Sequence, residues 1–507
     1  MTTTTTTTVT TTSYDPRTGQ VLGEARSSTT AEVDQALDLA TRCAAAVADA
    51  SPAERAVWLH TLADHLEEPA TAHELIALAD RETALGRVRL TAELARAAGQ
   101  LRFYAKVGDE GSWLGATLDA STAMRPALAR VEQPLGPVAV FGASNFPFAF
   151  GVLGNDTASA IAAGCPVVAK AHPAHPLLSE RLGEVAVAAL DAAGAPLGAF
   201  SLVAGFDAGT ALVVSRHTAA VAFTGSQRGG LALWRLANER DVVIPVFAEM
   251  GTVNPVVVTP GGATRMSEVA AGFAASFTMG TGQFCTKPGL LLVPAGSGAS
   301  AAVRAVLERS ARPGWLLTGQ MAAEAHDGIA RLVRAGGQVV AQVPGPEQGW
   351  SAPTTLLEVP AAGLTGGSQL LEECFGPVAL VAEYADAAEL ATVLGALPGA
   401  LAASVMSCGP DDPDAAAAVR ALAPRVGRVA VDDWPTGVAV DWAQQHGGPW
   451  PATSAPASTS VGAAALCRFT RPVAYQGVPD HALPPALQAD NPWGLTRRVA
   501  GVLEVGP

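Results

Sequence analysis

The chain has 507 residues, of which 49% are hydrophobic and 15% charged, and its formal net charge is −14. This length and composition exclude a disordered chain and predict two or three domains with large apolar cores. The negative net charge indicates no basic surface that would attract the phosphate groups of nucleic acids or lipids. We therefore predict no nucleic-acid partner and no membrane partner.

The six cysteines lie far apart and form no CxxC pair, which argues against a disulfide framework and a zinc site. The N-terminal run "MTTTTTTTVTTT" lacks the basic and apolar regions of a signal peptide. No stretch of about 18 apolar residues is free of Gly, Pro or charge. We therefore predict a cytoplasmic protein with no metal site and with a disordered tail over residues 1–12.

The first part of the chain has helical periodicity. The run "TAEVDQALDLATRCAAAVA" predicts a helix capped by Thr30. The next helix opens with Ser51 as N-cap and Pro52 in the first turn, and Glu54 completes a capping box. A third helix, around "TAELARAAGQLRFYAKVG", is predicted to end near Gly108.

Short buried strands then alternate with helices. The first is predicted over 138–141, and others lie in "CPVVAK", "FSLVAG", "AAVAFTGS", "VVIPVFAEMG" and "NPVVVTP". A second region of this kind begins near Ser267, and "CRFTRPVAYQ" is a late strand suited to pairing with another subunit. The alternation predicts βαβ units and a mostly parallel sheet, with ligands beyond the carboxyl ends of the strands.

Two turns and one strand end carry residues suited to binding. In "FGASNFPF" the amide of Asn145 could stabilise an oxyanion, although an asparagine in a turn is more often structural. In "AFTGSQRGG" Gly225 and Gly229 frame a turn that could bring backbone amides to a pyrophosphate. Lys170, at the end of "VVAK", is either a ribose contact or a solvated surface lysine.

Glu249 and Cys285 are the candidates for acid–base and nucleophilic chemistry. Glu249 follows the apolar run "IPVFA", where a carboxylate is suited to act as a general base, with a capping or salt-bridged role as the alternative. Cys285 lies in "MGTGQFCTKPG", a loop of small and turn-forming residues. A nucleophilic thiol needs access and an activating partner, whereas a packing cysteine needs neither.

Taken in order, these motifs resemble the aldehyde dehydrogenase superfamily over about residues 30–476. The set is "NFP", Lys170, "FTGS", "EMG", "GQFCT" and "EECFGPV". Further motifs, "FGASNFPFAF", "AEMGTVNPV", "WPTGVAV" and "HGGPWPAT" among them, resemble the branch that oxidises α-ketoglutarate semialdehyde (2,5-dioxopentanoate) to α-ketoglutarate. The alternatives are a dehydrogenase of another aliphatic or fatty aldehyde and a catalytically inactive structural relative.

The resemblance implies a role for each candidate residue. Cys285 attacks the aldehyde to form a thiohemiacetal, Asn145 and the Cys285 backbone N–H hold the oxyanion, and Glu249 activates the water that hydrolyses the thioester. The implied cofactor is NAD or NADP. Its implied contacts are Lys170 with the adenosine ribose, Gly225, Ser226 and Gly229 with the pyrophosphate, Glu373 with the nicotinamide ribose, and Phe375 near the ring.

Departures from the family pattern slightly favour NADP over NAD. Pro173 stands where NAD-preferring members often carry a glutamate, so a 2′-phosphate would meet no like charge. Leu231 stands where NADP-using relatives can carry arginine, and Arg228, His172 or His175 would have to compensate.

The implied fold class is α/β and aldehyde dehydrogenase-like: a Rossmann-type cofactor domain, an α/β catalytic domain and a small β oligomerisation arm. The resemblance also implies a homodimer or homotetramer. Arg102, Arg125 and Arg468 are candidates to bind the substrate carboxylate, although a surface or interface position is the better interpretation of each. The predicted domains are the NAD(P)-binding domain over 13–117 and 137–250, the arm over 118–136 and 450–480, the catalytic domain over 251–449 and a C-terminal tail over 481–507.

Overall fold

The computed structural model describes residues 9–506. The capping box of Ser51 and Glu54 is confirmed. The first helix has its N-cap one residue earlier than predicted, since Thr29 is the N-cap and not Thr30. The reason is local: the Thr29 hydroxyl accepts the N–H of Glu32, and the Glu32 carboxylate accepts the N–H of Thr29.

The sequence interpretation missed one early helix, over Pro69–Thr83, which begins where the Glu68 side chain accepts the N–H of Thr71. The described α-helices are α1 Thr30–Asp49, α2 Pro52–Glu67, α3 Pro69–Thr83, α4 Arg87–Glu110, α5 Asn155–Ala162, α6 Pro176–Ala192, α7 Phe206–Val214, α8 Gln227–Asn238, α9 Met266–Thr278, α10 Ala299–Ser310, α11 Gly319–Arg334, α12 Ala387–Ala396 and α13 Pro413–Leu422.

The described strands form four sheets. In chain order they are β1 Thr10–Tyr14, β2 Val21–Arg26, β3 Thr117–Asp119, β4 Leu128–Pro134, β5 Val138–Phe141, β6 Val167–Lys170, β7 Phe200–Val203, β8 Ala220–Gly225, β9 Val246–Met250, β10 Pro255–Val258, β11 Leu290–Pro294, β12 Gln338–Val343, β13 Thr354–Glu358, β14 Val378–Tyr384, β15 Ala400–Met406, β16 Val426–Val431, β17 Thr470–Gln476, β18 Arg497–Val499 and β19 Val502–Glu504.

A five-stranded parallel sheet, in the order β7-β6-β5-β8-β9, forms the centre of the first α/β unit. Successive side chains of a strand point to opposite faces, so helices can pack on both. Val138 and Val140 pack with α2, α4, α5 and α6, whereas Ala139 and Phe141 pack with α1 and α7. Asn145 and Glu249 lie at the carboxyl ends of β5 and β9, at the same edge of this sheet.

A seven-stranded sheet, in the order β12-β13-β14-β11-β10-β15-β16, forms the second α/β unit. All its pairs are parallel except the edge pair of β12 with β13. Adjacent residues of β11 again pack into different apolar clusters. Leu290 and Leu292 belong to one cluster, and Leu291 and Val293 belong to the other. The parallel α/β character predicted from the sequence is confirmed in both units.

The third sheet, in the order β17-β4-β3-β18-β19, combines the two segments predicted as an arm with the end of the chain. The C-terminal tail predicted over 481–507 contains two strands of this sheet, since β18 pairs with β3 and β19. Arg498 N–H donates to the Ala116 carbonyl, and buried Leu487 and Leu495 pack in one cluster with Val131. Burial of these two leucines holds the proline-rich C-terminal segment against the sheet.

Residues 1–8 of the predicted disordered tail lie outside the described residues. Residues 10–12, also assigned to that tail, are part of β1 and pair with β2 in an antiparallel ladder. Among residues 9–506, no helix combines the length and the apolar character needed to cross a membrane.

Candidate active site

The loop that carries Cys285 is fixed by a side chain from the segment just before β10. After α9 the chain turns through Gly280 and Gly282, both at positive φ. A Cβ at Gly282 would overlap the carbonyl of Gly376, so only glycine allows this close approach. The Asn254 amide, on a residue at φ 52°, donates to the carbonyls of Cys285 at 2.8 Å and Lys287 at 3.1 Å.

Cys285, His446 and Glu249 form one cluster. The Cys285 sulfur lies 3.5 Å from Nε2 of His446, and the same nitrogen lies 3.3 Å from Oε2 of Glu249. Glu249 is 3% exposed, and apart from the ion-pair contact with His446 neither of its carboxylate oxygens has a hydrogen-bond partner within residues 9–506. A buried carboxylate in that state is available to accept a proton from a substrate or a water molecule.

The sequence interpretation did not assign a role to His446. Its motif, "HGGPWPAT", was used only for the resemblance, and 161 residues separate it from Cys285. The segment after it pairs along β9: Met250 N–H donates to Ala452 O, and Ser454 N–H donates to Ala248 O. The strand that contains Glu249 therefore also positions the histidine loop.

Burial and charge together keep the Cys285 thiol protonated in the resting protein. Burial raises its pKa well above the usual value, and the carboxylates of Glu249 and Glu373 raise it further. The backbone N–H of Thr286 and the guanidinium of Arg96 act in the opposite direction. A nucleophilic Cys285 therefore requires a proton acceptor at contact distance, and His446 occupies that place.

Asn145 lies beside the cysteine loop. Its side-chain N–H donates to the carbonyl of Gln283 at 2.9 Å, two residues before Cys285. This is the only hydrogen bond of Nδ2 in the described structure, so its second N–H can donate to a ligand. Arg89 donates to the Asn145 carbonyl at 2.7 Å, and the Glu93 carboxylate accepts from the N–H groups of Phe148 and Ala149, which fixes the turn.

The predicted pyrophosphate turn connects β8 to α8. The Ser226 hydroxyl caps α8 by accepting the N–H of Gly229 at 3.2 Å. The Phe223 ring packs against this turn so closely that a Cβ at Gly225 or Gly229 would overlap it. The glycines thus leave the first turn of a 12-residue helix accessible, which suits a phosphate group. At the end of β6, burial lowers the pKa of Lys170 to about 8.

Glu373 faces the cleft between the two α/β units, which is lined also by Gln227, Thr252 and Pro451. Its Oε1 is buried without a hydrogen-bond partner among the described residues, and burial raises its pKa to about 7. Lys287, on the cysteine loop, holds this segment by donating to the carbonyls of Cys374 and Val378 at 2.8 Å each. An acceptor without a donor at this place fits a ribose hydroxyl group, and half-buried Phe375 follows it.

The model of the aldehyde dehydrogenase family matches residues 3–450. The chain belongs to the aldehyde dehydrogenase family. It is 42% identical to alpha-ketoglutaric semialdehyde dehydrogenase 2 of Azospirillum brasilense over 97% of this chain and 96% of that protein. It is 39% identical to alpha-ketoglutaric semialdehyde dehydrogenase of Acinetobacter baylyi over 97% and 94%. The predicted superfamily is thus confirmed.

The fold is that of solved aldehyde dehydrogenases. Aldehyde dehydrogenase C of Pseudomonas syringae, in complex with NAD+ and octanal, matches with a TM-score of 0.80 at 20% identity over 94% of this chain and 95% of that one. Methylmalonate-semialdehyde dehydrogenase of Oceanimonas doudoroffii matches with a TM-score of 0.80 at 20% identity over 93% and 96%. The predicted α/β aldehyde dehydrogenase fold is confirmed.

The three arginines suggested for the substrate carboxylate in this aldehyde dehydrogenase lie in other places. Arg102 pairs with Asp64 and Glu67 at the surface. Arg125 is exposed in the turn between β3 and β4. Arg468 is buried and pairs with Asp156 at 2.7 Å.

The cluster around Cys285 also has the composition of a metal site. One ligand-type atom each from Glu249, Cys285 and His446 lies within 4.8 Å of the others. The same spacing is what a proton relay between a thiol and a carboxylate requires. The expectation of no metal site stays a prediction.

Proposed function

We propose that this aldehyde dehydrogenase oxidises 2,5-dioxopentanoate, the semialdehyde of α-ketoglutarate, to α-ketoglutarate. The observation that carries the substrate is the 42% and 39% identity to two alpha-ketoglutaric semialdehyde dehydrogenases, each over 97% of this chain. The chemistry is supported by the cluster of Cys285, His446 and Glu249 beside the free amide N–H of Asn145.

In the first half of the reaction, His446 accepts the thiol proton of Cys285 and is stabilised as a cation by Glu249. The thiolate attacks the aldehyde carbon, a carbon–sulfur bond forms, and the carbonyl π electrons move to the oxygen. The Asn145 amide and the Cys285 backbone N–H donate to this oxyanion. A nicotinamide cofactor, when bound, would supply the acceptor for the hydride that the carbon loses as the oxyanion re-forms the carbonyl and leaves a thioester.

In the second half, a thioester on Cys285 is hydrolysed. The Glu249 carboxylate takes a proton from water as its oxygen attacks the thioester carbon. The tetrahedral oxyanion uses the same two N–H donors, and its collapse breaks the carbon–sulfur bond. The acid product leaves and Cys285 returns as a thiolate. Positioning of these groups on one sheet edge and one fixed loop is the main contribution of the fold.

We further propose the cofactor contacts given above for Lys170, Gly225, Ser226, Gly229, Glu373 and Phe375. The preference for NADP over NAD then rests on fewer residues than the sequence suggested. Burial lowers the pKa of His172 well below its usual value and that of His175 to about 4, so neither carries charge at neutral pH. Among the three residues named as compensating, Arg228 at the start of α8 is the remaining cation for a 2′-phosphate. Its exposed guanidinium also pairs with Glu324 at 3.4 Å.

For assembly we propose a homodimer or homotetramer formed through the third sheet. Its strand β17 is an edge strand with unpaired backbone groups, a place where another subunit can add. The domain limits proposed from the sequence are kept, with the C-terminal residues 497–504 added to the arm. Free cysteines at all six positions suit a reducing compartment such as the cytoplasm.

Initial rates with 2,5-dioxopentanoate, 5-oxopentanoate, pentanal and octanal, each with NAD+ and NADP+, test the substrate and cofactor. We expect the highest kcat/KM with 2,5-dioxopentanoate. A preference for octanal would instead support the fatty-aldehyde alternative. Absence of turnover with every aldehyde would support an inactive relative.

A further inference from the structure

Helix α4 carries a buried polar side chain that the proposed chemistry does not use. Gln100 is 1% exposed, and neither its amide nitrogen nor its amide oxygen has a hydrogen-bond partner within residues 9–506. An amide buried in this way is costly unless a partner arrives from outside the protein. Gln100 lines a pocket between α4 and residues 438–440, together with Arg96 and Phe103.

Arg96 lies one turn before Gln100 and lines the same pocket. Its guanidinium donates one hydrogen bond, to the Val438 carbonyl at 2.9 Å, and forms no ion pair among the described residues. In Glu93, the nearest carboxylate along the helix, Oε1 accepts from the N–H groups of Phe148 and Ala149, and Oε2 lies 4.0 Å from the guanidinium of Arg89. A half-buried guanidinium therefore retains N–H groups for an anionic ligand.

Two sets of contacts connect this pocket to Cys285. Val438, which lines the pocket, is preceded by Gly437, and the Gly437 N–H donates to the hydroxyl of Thr286 at 3.2 Å. On the other side, the Arg96 guanidinium lies 5.7 Å from the Phe146 ring centroid, which is 5.1 Å from that of Phe284. Thr286 and Phe284 flank Cys285 in the chain, so both sets of contacts lead from the pocket to the nucleophile.

Building on the proposed function, we propose that Arg96 and Gln100 bind the α-keto acid end of the substrate. Arg96 pairs with the carboxylate, and the Gln100 amide N–H donates to the 2-keto oxygen. In 2,5-dioxopentanoate the keto and carboxylate carbons lie three and four bonds from the aldehyde carbon, so the proposal places these two groups in the pocket while the aldehyde contacts Cys285. Arg96 therefore supplies the cationic group that a dicarboxylate product requires. It lies on α4, the helix that also carries Arg102, one of the arginines suggested from the sequence.

The test compares Arg96→Met and Gln100→Leu with the wild type on 2,5-dioxopentanoate, 5-oxopentanoate and pentanal. We expect Arg96→Met to lower kcat/KM for both carboxylate substrates about 30-fold or more, because it removes the partner of a desolvated charge. Pentanal has no carboxylate and should lose much less, so the ratio of kcat/KM for 2,5-dioxopentanoate to that for pentanal should fall about tenfold or more. Gln100→Leu should lower kcat/KM about tenfold for 2,5-dioxopentanoate alone, since 5-oxopentanoate has no keto oxygen.

The matched control is Arg102→Met, which removes an arginine from the same helix but leaves the pocket intact. Arg96→Lys should recover part of the carboxylate preference. Equal losses on all three substrates, or none, in Arg96→Met would overturn the assignment. If the wild type prefers 5-oxopentanoate and Arg96→Met removes that preference, the proposed substrate fails while the Arg96 site stands. If the wild type prefers 2,5-dioxopentanoate and Arg96→Met retains the preference, only the present inference fails.

Discussion

Nε2 of His446 lies 3.3 Å from Oε2 of Glu249, and both side chains are buried. The same nitrogen is 3.5 Å from the sulfur of Cys285. One imidazole therefore contacts the nucleophile and the carboxylate at once. We infer that Glu249 serves both half-reactions: it stabilises the cationic imidazole while the thiol is deprotonated, and it later accepts the proton of the hydrolytic water.

Glu249→Gln should separate the two half-reactions. The glutamine keeps the volume of the side chain but cannot take a proton from water. We expect steady-state turnover to fall about 100-fold or more. A burst of reduced cofactor close to one equivalent per active site should remain in stopped-flow absorbance, and it should form more slowly than in the wild type because the His446 cation loses its carboxylate partner. Glu372→Gln, an exposed carboxylate on another loop, is the control. Unchanged steady-state turnover in Glu249→Gln would contradict its assignment as the base.

His446→Asn should slow formation of the covalent intermediate. Because burial and two carboxylates raise the pKa of Cys285, a thiol without its acceptor stays protonated at neutral pH. We expect the burst rate at pH 7 to fall about 100-fold. The rate should rise with pH as hydroxide replaces the lost acceptor. Alkylation of Cys285 by iodoacetamide across pH measures the same effect without substrate. An alkylation profile identical to that of the exposed control His481→Asn would exclude the role.

Most of the fold was predictable because its signals are local. A short apolar run before a turn predicted both ends of β5 correctly, and the capping box of Ser51 and Glu54 predicted the start of α2. The arm sheet could not be completed from the sequence, because β18 near the end of the chain pairs with the distant β3. The leucines that bury this segment, Leu487 and Leu495, are also spread among prolines and form no apolar run. Thr29 in place of Thr30 shows the same limit on a small scale, because two adjacent threonines are equivalent until the backbone is known.

Some of the candidate site residues lie in family motifs and were named from the sequence, whereas others are found only through contacts in the folded chain. Cys285, Glu249 and Asn145 carry motifs of their own, and the fold brings their surroundings together. His446, Arg96 and Gln100 gave no signal of function in the sequence, because the roles proposed for them depend on distances between distant segments. Asn254 is similar: only the structure reveals that its amide holds the carbonyl of Cys285.

The affinity for the oxidised cofactor should depend on pH through Glu373. Burial raises the pKa of this carboxyl group to about 7, so it is charged at pH 8 and largely protonated at pH 6. Ribose hydroxyl groups donate to the charged form, and binding should therefore weaken several-fold as pH falls from 8 to 6. Titration of protein fluorescence with NAD+ or NADP+ measures the dissociation constant.

Glu373→Gln should bind weakly and should not lose affinity as pH falls from 8 to 6, while the neighbouring Glu372→Gln should keep the wild-type pH profile. If Glu373→Gln retained both the affinity and the pH dependence, the ribose contact would have to be assigned to another residue.

Arg468→Met tests whether this arginine supports the fold or binds substrate. Arg468 pairs with Asp156 at 2.7 Å, and both side chains are buried, so its removal leaves a charge without a partner. Breaking such a pair costs about 3–5 kcal/mol, and we expect a clear drop in melting temperature. Because a chain with several domains need not unfold in one step, the midpoint of the first calorimetric transition is the quantity to compare.

Arg471→Met, at an exposed position of β17, should melt like the wild type. Adding Asp156→Leu to Arg468→Met should recover part of the loss, since the double variant buries no unpaired charge. A normal melting temperature with a raised KM for 2,5-dioxopentanoate would instead place Arg468 in substrate binding.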